Sequence, residues 1–357
     1  MQEIYVKLRD KLDQLGFGYP ATENGIEFSL IERLFTPEEA KWFLEMKDGF
    51  QTPADFAKQN GRDVNVVARK FEEMAQNGLL FRLRKGDEVQ YRTNPVFHGI
   101  YEYNIKRAEP KWIGDMFGHI LGGGLGQRVF GTDTPFYRTI PVKSGLDSTS
   151  EILPYDDAES IIKRKEVIAV SKCMCRVAQK ELNNDCGHPL ETCLVFDDYA
   201  KYYVENDMAR IISQEEALDI LRTGEKEGRI TQVANSQDPE VMCSCCPCSC
   251  GILIVLKMFG GASKEVVSNY YCQVDKDLCS GECHEVCQSR CLTGARNLVD
   301  GKIEVELGNC IGCGLCVKVC PKGAISMVRK SEDKLYAPPE TLFDAYDRMQ
   351  EYRKTAK

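Results

Sequence analysis

The sequence predicts an α+β protein of several domains: a helical N-terminal part ending in a hairpin, a cysteine-rich helical middle part and a small strand-bearing C-terminal part. Three observations support this. Helix caps and helical periodicity dominate the first hundred residues, most cysteines lie between positions 173 and 320, and short alternating runs flank the last cysteine block. A chain of 357 residues is long enough for two or three domains.

The first hundred residues contain clear helix signals. Apolar side chains recur at helical spacing from Tyr5 to Leu15, so residues 1–30 are predicted to form a helical arm. In residues 31–100, a capping box at Thr36-Pro37-Glu38-Glu39 starts one helix, Thr52-Pro53 precedes a second, and a third spans about 65–76. A hairpin about residues 85–88 follows. Three helices and a hairpin predict a winged-helix-like domain.

The charges of this segment disfavour DNA as its partner. Residues 31–95 carry eleven acidic and eleven basic side chains, and the whole chain has a net charge of −8. Because phosphate neutralisation demands an excess of cations, nucleic acid is disfavoured. A protein-docking module is expected instead, and a homodimer through this segment stays open.

Residues 101–150 are interpreted as a connector. Its glycine-rich run, Gly122-Gly123-Gly124-Leu125-Gly126, does not fit G-x-G-x-x-G or G-x4-G-K-[ST]. A flexible turn is predicted there, and not a phosphate-binding loop.

The most specific signal is CIGCGLCVKVCP, which begins at Cys310. Its cysteines at 310, 313, 316 and 320 fit C-x2-C-x2-C-x3-C-P, the bacterial ferredoxin pattern for [4Fe–4S] ligation. Zinc sites favour two separated C-x2-C pairs instead. In two-cluster ferredoxins the last cysteine of each motif serves the other cluster, so a partner motif is expected nearby.

That partner motif is present with wider spacing, C-x3-C-x3-C-x3-C, from residue 279 to 291. By position, one [4Fe–4S] cluster is predicted on Cys279, Cys283, Cys287 and Cys320, and a second on Cys310, Cys313, Cys316 and Cys291. The longer gaps leave three alternatives for the first set: a looser loop around a cubane, a different cluster, or one unused thiol. Strand patterns at 267–274, 297–305 and 324–328 surround the motifs. Residues 271–330 are therefore predicted to form a two-cluster ferredoxin-like domain, followed by a C-terminal helix in 331–357.

Ten cysteines precede these motifs, and five of them fall within eight residues. Such density is not explained by packing. Residues 151–270 are therefore predicted to form a cysteine-rich domain that holds one or more additional Fe–S clusters, with a zinc site or redox-active disulfides as alternatives. The candidate metal ligands are Cys173, Cys175, Cys186, Cys193, Cys243, Cys245, Cys246, Cys248 and Cys250.

Cysteine usage and the N-terminus favour a cytoplasmic protein. Cluster-like cysteine spacing fits a reducing compartment. The first sixteen residues are charged and lack a signal-peptide core, and no apolar run approaches the roughly 18 residues of a membrane span. A soluble cytoplasmic protein of an organism that lives with little oxygen is expected.

Two resemblances extend this interpretation. Residues 271–330 resemble a two-[4Fe–4S] bacterial ferredoxin. Over most of its length the chain also resembles a poorly characterised family of 4Fe–4S dicluster-domain proteins from anaerobes. The residues that carry this second resemblance are YPATENGIEFSLIERLFTPEEA from Tyr19, CMCR from Cys173, CGHPLETCLVFDDYA from Cys186, and ISQEEAL together with CSCCPCSCG. The resemblance implies a ferredoxin-type redox protein and says little about a substrate.

The leading hypothesis is electron transfer through the clusters, one electron at a time, to or from a partner oxidoreductase such as a flavoprotein or a reductase. No catalytic constellation is evident, and the catalytic residues are unknown. One alternative is a reductase whose extra cysteine-rich cluster is the catalytic site. Another is a redox-sensing winged-helix regulator, which would need a basic DNA-binding face.

Overall fold

A computed structural model describes residues 3–107, 109–128, 133–143, 146, 152–259 and 266–355 of the chain. Its N-terminal part contains five helices and a two-stranded hairpin. The elements are α1 (Glu3–Leu12), α2 (Ile26–Leu34), α3 (Pro37–Glu45), α4 (Pro53–Asn60), α5 (Val64–Gln76), β1 (Leu80–Lys85) and β2 (Glu88–Thr93).

The predicted caps of this part are confirmed. The Thr36 hydroxyl accepts a hydrogen bond from the backbone N–H of Glu39, and the Glu39 carboxylate accepts one from the backbone N–H of Thr36; Thr52 and Asp55 form the same capping box on α4. Each box satisfies backbone N–H groups that the first helical turn leaves unpaired. The three helices and the hairpin therefore lie where the sequence predicts them, while the name winged helix stays a prediction.

This N-terminal part packs directly on the middle of the chain. The buried Arg82 and the more exposed Arg84 of β1 both form ion pairs with Glu205. The Tyr202 hydroxyl donates to the carbonyl groups of Ala75 and Leu80 at 3.0 and 2.9 Å. The two regions consequently share one hydrophobic core.

The middle of the chain is built on a seven-stranded sheet with the strand order β6-β4-β5-β8-β7-β3-β9. Neighbouring strands are antiparallel except for β3 and β9, which are parallel. The strands are β3 (Tyr137–Ile140), β4 (Ile168–Lys172), β5 (Glu191–Phe196), β6 (Ala209–Ile211), β7 (Ile230–Ala234), β8 (Val241–Cys245) and β9 (Val266–Val267). The helices are α6 (Tyr101–Asn104), α7 (Pro110–Leu121), α8 (Leu125–Arg128), α9 (Ala158–Lys163), α10 (Met174–Glu181), α11 (Asp197–Glu205), α12 (Gln214–Glu227) and α13 (Gly251–Phe259).

The prediction of a helical middle part was therefore wrong. Its helices α11 and α12 do follow from local sequence: the segment after Cys193 has helical periodicity, and Ser213, in the pattern SQEE, accepts a hydrogen bond from the backbone N–H of Glu216. Its strands are two to six residues long, too short to give a clear alternation, and most pair with partners that are distant in sequence. Even the stretch interpreted as a connector contributes a strand, β3. The predicted glycine-rich turn lies where α7 ends and α8 begins.

The C-terminal part carries two small antiparallel ladders and a last helix. Strand β10 pairs with β13, and β11 pairs with β12 around the turn at Asp300-Gly301. The last helix packs back on the N-terminal arm, since Arg353 donates to the carbonyl of Gly16 at 3.0 Å. The elements are β10 (Tyr270–Val274), α14 (His284–Ser289), β11 (Arg296–Val299), β12 (Lys302–Val305), β13 (Ile325–Arg329) and α15 (Leu342–Thr355). None of the described helices is both long and apolar enough to cross a bilayer.

Candidate metal centres

The CIGCGLC turn places the thiols of its three cysteines around one small cavity, which Cys291 of the other motif also lines. Gly312 and Gly314 both adopt left-handed backbone conformations, with φ of 67° and 73°. A Cβ on Gly312 would lie 2.3 Å from the carbonyl oxygen of Tyr270, so only glycine fits there. The motif therefore needs glycine for the shape of the turn as well as cysteine for ligation.

The last cysteine of each motif lies near cysteines of the other motif. Cys291 lies within electrostatic range of the thiols of Cys310 and Cys313. Cys320 of the second motif lies in turn within range of Cys287. The four members of each predicted ligand set thus come from both motifs.

A repeated hydrogen bond underlines the symmetry of the two halves. The backbone N–H of Ala295 donates to Cys291 Sγ at 3.2 Å, and that of Ala324 donates to Cys320 Sγ at 3.3 Å. The two segments read CLTGA and CPKGA, so each donor follows its cysteine by four residues. Such N–H groups stabilise thiolates and are typical of iron–sulfur ligation. The cavity, the glycines and these donors fit a [4Fe–4S] cluster.

The wider spacing of the first motif has a structural explanation. Cys283 caps α14 and Cys287 lies within it, and the Cys287 N–H donates to the Cys283 carbonyl at 3.1 Å. A gap of three residues is the helical spacing that places side chains on one face. The first motif therefore presents its cysteines from a helix, whereas the second presents them from a turn. Cys279, one turn before the helix, packs at the edge of the same small core.

The sequence assigns no role to two residues of this region, Arg296 and Cys272. Arg296 is 3% exposed and donates to Cys287 Sγ at 2.7 Å and to Cys272 Sγ at 3.4 Å. Cys272 is buried as well, and its backbone N–H lies 3.5 Å from Cys310 Sγ. Burial disfavours the guanidinium charge, but the surrounding thiols outweigh it and raise the pKa of Arg296. The only sequence feature that points to Arg296 is its position, five residues after Cys291 of the first motif.

Nine of the ten upstream cysteines separate into two groups. Six of them, called the six-thiol group here, line one cavity in the protein interior, which Cys246 of the second group also borders. They are contributed by the start of α10, by the neighbouring strands β5 and β8, and by the residue before α13. The six-thiol group consists of Cys173, Cys175, Cys193, Cys243, Cys245 and Cys250.

The sheet explains how these thiols meet. Strands β5 and β8 pair with Leu194 opposite Met242, which puts Cys193 beside Cys243. Cys243 and Cys245 are two residues apart on β8, so they share a face. Hydrogen bonds with Cys193 and then Cys245 lower the pKa of Cys243, and a hydrogen bond from Cys175 lowers the pKa of Cys250 to about 5. Hydrogen bonds among the thiols thus favour the thiolate at Cys243 and Cys250, whereas the pKa values of Cys173, Cys175, Cys193 and Cys245 are raised.

Tyr137, His98 and Glu102 are among the residues other than cysteine that line the same cavity. The Tyr137 hydroxyl lies 3.6 Å from Cys243 Sγ. His98 has a left-handed backbone with φ of 56°, which is uncommon for a residue with a side chain, and burial lowers its pKa to about 4. Burial also raises the pKa of Glu102 to about 7, although the Gly99 N–H donates to its carboxylate at 3.0 Å. None of these three was expected from the sequence.

The remaining cysteines of the predicted set, Cys186, Cys246 and Cys248, form the three-thiol group. Their Sγ atoms all lie within 4.8 Å of one another. The group lies closer to the surface, since Cys248 is exposed and Cys186 is partly buried. The structure thus divides the predicted metal ligands between an interior site and a peripheral one.

Comparison with known proteins supports the C-terminal assignment. The family model of the 4Fe–4S binding domain matches residues 303–326. Residues 303–326 therefore form a 4Fe–4S binding domain. A protein described as "Iron-sulfur protein" from Rhodospirillum rubrum is 49% identical over 41 residues, which are 12% of this chain and 22% of that protein. The chain thus matches about a fifth of that relative's length. No solved structure matches the chain.

Proposed function

We propose that this chain is an iron–sulfur electron-transfer protein that passes single electrons through [4Fe–4S] clusters to or from a partner oxidoreductase. The observation that carries the proposal is the exchanged, pseudo-symmetric arrangement of the two C-terminal motifs, with its matching N–H donors to Cys291 and Cys320. When bound, [4Fe–4S] clusters supply reversible one-electron redox chemistry.

One buried side chain of the C-terminal segment, Arg296, would stabilise the extra negative charge of a reduced cluster. Arg296 provides a buried positive charge that donates to Cys287 and Cys272 on opposite sides. Donors directed at the sulfurs favour the reduced state, because that state carries more negative charge. Arg296 therefore raises the reduction potential of the ferredoxin-like segment.

The six-thiol group supports a further centre beyond the two C-terminal ones. Its cysteines are fixed by a sheet and by helix ends, and they enclose a cavity that does not include any cysteine of the ferredoxin-like segment. Electrons would then pass between one centre at the six-thiol group and the two clusters of the C-terminal segment. The partner is expected to be a flavoprotein or a reductase that docks near the C-terminal motifs.

The proposal is tested by titrating the anaerobically purified protein with a low-potential reductant and following its EPR spectrum. Reversible one-electron signals from at least two [4Fe–4S] clusters are expected. A protein that holds iron but accepts no electrons reversibly at any potential would refute electron transfer.

A reductase is the second candidate, and Glu102 is the observation that favours it. This residue lines the cavity of the six-thiol group and also an open groove of about 640 Å³ between α10 and β6. A molecule in the groove would thus be separated from the interior thiols by one ionisable side chain. The reductase predicts that a small molecule in the groove reoxidises the reduced protein at a rate that falls in Glu102→Gln, whereas a pure carrier is reoxidised only by its protein partner.

A further inference from the structure

The three-thiol group differs from every other cysteine group in how tightly its sulfurs converge. Cys186 Sγ lies 3.8 Å from Cys246 Sγ, and all three sulfurs lie within 4.8 Å of one another. Among the residues that the structure describes, no other three cysteine, histidine or acidic side chains bring their ligand atoms so close together. The six thiols of the interior group line a cavity instead, and Cys246 is the member of the three-thiol group that also borders this cavity.

This separation matches one shared metal ion. A tetrahedral ion with bonds of about 2.3 Å to sulfur holds its thiolates about 3.8 Å apart. In a cubane each thiolate binds a different iron, which spreads the sulfurs further from one another. The geometry of the three-thiol group therefore fits a mononuclear site better than a share in an iron–sulfur cluster.

Hydrogen-bond donors and partial burial surround these sulfurs, as they do in metal sites. The Ser249 hydroxyl, which is fully buried, donates to Cys186 Sγ at 3.3 Å. The backbone N–H of His188 donates to the same sulfur. Cys246 is 2% exposed while Cys248 is open to solvent, so the site has a buried side and an accessible side. Donors around a ligating sulfur hold its orientation and stabilise its charge.

The group supplies three ligands and leaves the fourth to solvent. His188, two residues after Cys186, is not a member of the group, and its Nδ1 lies 3.7 Å from the carboxylate of Glu227. Three protein ligands with an accessible fourth position distinguish reactive zinc sites from closed structural ones. Thiolates are soft ligands that select ions such as Zn²⁺.

We propose that Cys186, Cys246 and Cys248 bind one tetrahedral, thiophilic ion of the Zn²⁺ class, independently of the iron–sulfur centres, with an exchangeable ligand at the fourth position. Binding displaces the thiol protons into solvent and involves no change of oxidation state. The protein would thus hold a mononuclear metal site beside its iron–sulfur centres.

The experiment uses the full chain purified anaerobically with its iron–sulfur clusters, to which Zn²⁺ is added before removal of the excess. Metal analysis is expected to give one tightly held zinc per chain, and Co²⁺ in its place should show the sulfur-to-cobalt and tetrahedral absorption bands. Both Cys248→Ser and Cys186→Ser should lose this zinc and keep their full iron content. Because Cys248 is exposed, its substitution tests the ligand without disturbing the core.

Two further variants make the test decisive. Cys243→Ser, in the interior group, should lower iron and leave the zinc in place. Ser249→Ala keeps all three thiols and should weaken zinc binding by roughly 10-fold or more, as the loss of a supporting hydrogen bond does elsewhere. The proposal is overturned if iron falls in Cys248→Ser, which would make the three thiols cluster ligands. It is equally overturned if the wild-type chain holds no zinc, or if both cysteine variants retain it.

Discussion

The two cysteine regions of this protein position their thiols in opposite ways. The C-terminal segment carries them on a tight turn and a short helix around a core of seven buried residues, three of which are cysteines. The six-thiol group is fixed instead by a seven-stranded sheet that belongs to a much larger apolar core. We therefore expect the first region to depend on its metal for its fold and the second to keep its scaffold without metal.

Removal of iron should produce the largest contrast between the two regions. Metal ligation contributes on the order of 10 kcal/mol to small metal domains, far more than the core of the C-terminal segment can replace. After anaerobic chelation, amides of β10 to β13 should lose protection from hydrogen exchange while those of β4, β5 and β8 keep theirs. Equal loss of protection in both regions would contradict the comparison.

The same contrast should appear in single variants. Cys313→Ser is expected to lose one cluster, about four irons, and to destabilise the C-terminal segment. Cys272→Ser is a matched control, because Cys272 lies in the same core but outside the predicted ligand sets. If the control loses iron and Cys313→Ser does not, the ligand assignment is wrong.

A backbone variant should weaken the second motif without removing a ligand. In Gly312→Ala the new Cβ would meet the Tyr270 carbonyl at 2.3 Å, and φ of 67° adds strain, so we expect a cost of about 2 kcal/mol or more and incomplete iron loading. Gly308→Ala is the control, since nothing lies within 4 Å of its added Cβ. Equal iron contents and equal thermal stabilities for the two variants would exclude a requirement for glycine in the turn.

Arg296 offers a smaller, electronic test. Replacement by glutamine removes a positive donor from Cys287 and Cys272, and a hydrogen bond to a charged group is worth about 1.5 kcal/mol. For a one-electron couple, 59 mV corresponds to a tenfold change in the equilibrium constant of reduction, so the reduction potential of the nearer cluster should fall by tens of mV. Potentiometry followed by EPR measures this shift. An unchanged or higher potential would show that Arg296 has a structural role alone.

A pH-dependent effect is expected on the larger scaffold, at Glu240 next to β8. Desolvation raises the pKa of this carboxyl to about 7, despite hydrogen bonds from the Leu342 N–H and the Ser236 hydroxyl, both at 2.8 Å. A carboxyl whose pKa is raised by folding stabilises the folded state most when protonated, so its contribution is complete below about pH 4.5 and is lost as pH rises through 7.

Glu240→Gln should therefore make the free energy of unfolding less dependent on pH between about pH 5 and 8. Between pH 5 and 8 the wild-type chain should lose about 2 kcal/mol more than the variant does. Thermal unfolding of both proteins across this range measures the difference. Parallel profiles would mean that Glu240 titrates at its ordinary value in the folded chain.

The same contrast explains what the sequence could predict. The turn motif, the caps at Thr36 and Ser213 and the hairpin at Asp300-Gly301 are local patterns, and the structure contains each of them. The sheet is not local. Strand β3 pairs with β7 and β9, about 90 and 130 residues later, and such pairing leaves no nearby signal. The middle part was consequently expected to be helical.

The candidate sites follow the same rule. Cysteine counting gave the candidate ligands as one set, and the sheet is what places Cys193 beside Cys243, apart from the thiols of Cys186 and Cys248. Arg296 and Glu102 carry no motif of their own. Their relevance comes from burial beside thiols, a property that depends on tertiary packing.

Iron and sulfide analysis of the wild-type chain beside Cys313→Ser and Cys243→Ser tests the central claim most directly. Two independent cysteine regions predict more than the roughly eight irons of two cubanes in the wild type. They also predict a loss of about four irons in Cys313→Ser and a return to about eight in Cys243→Ser. Eight irons or fewer in the wild type, or an iron content that Cys243→Ser leaves unchanged, would contradict the account.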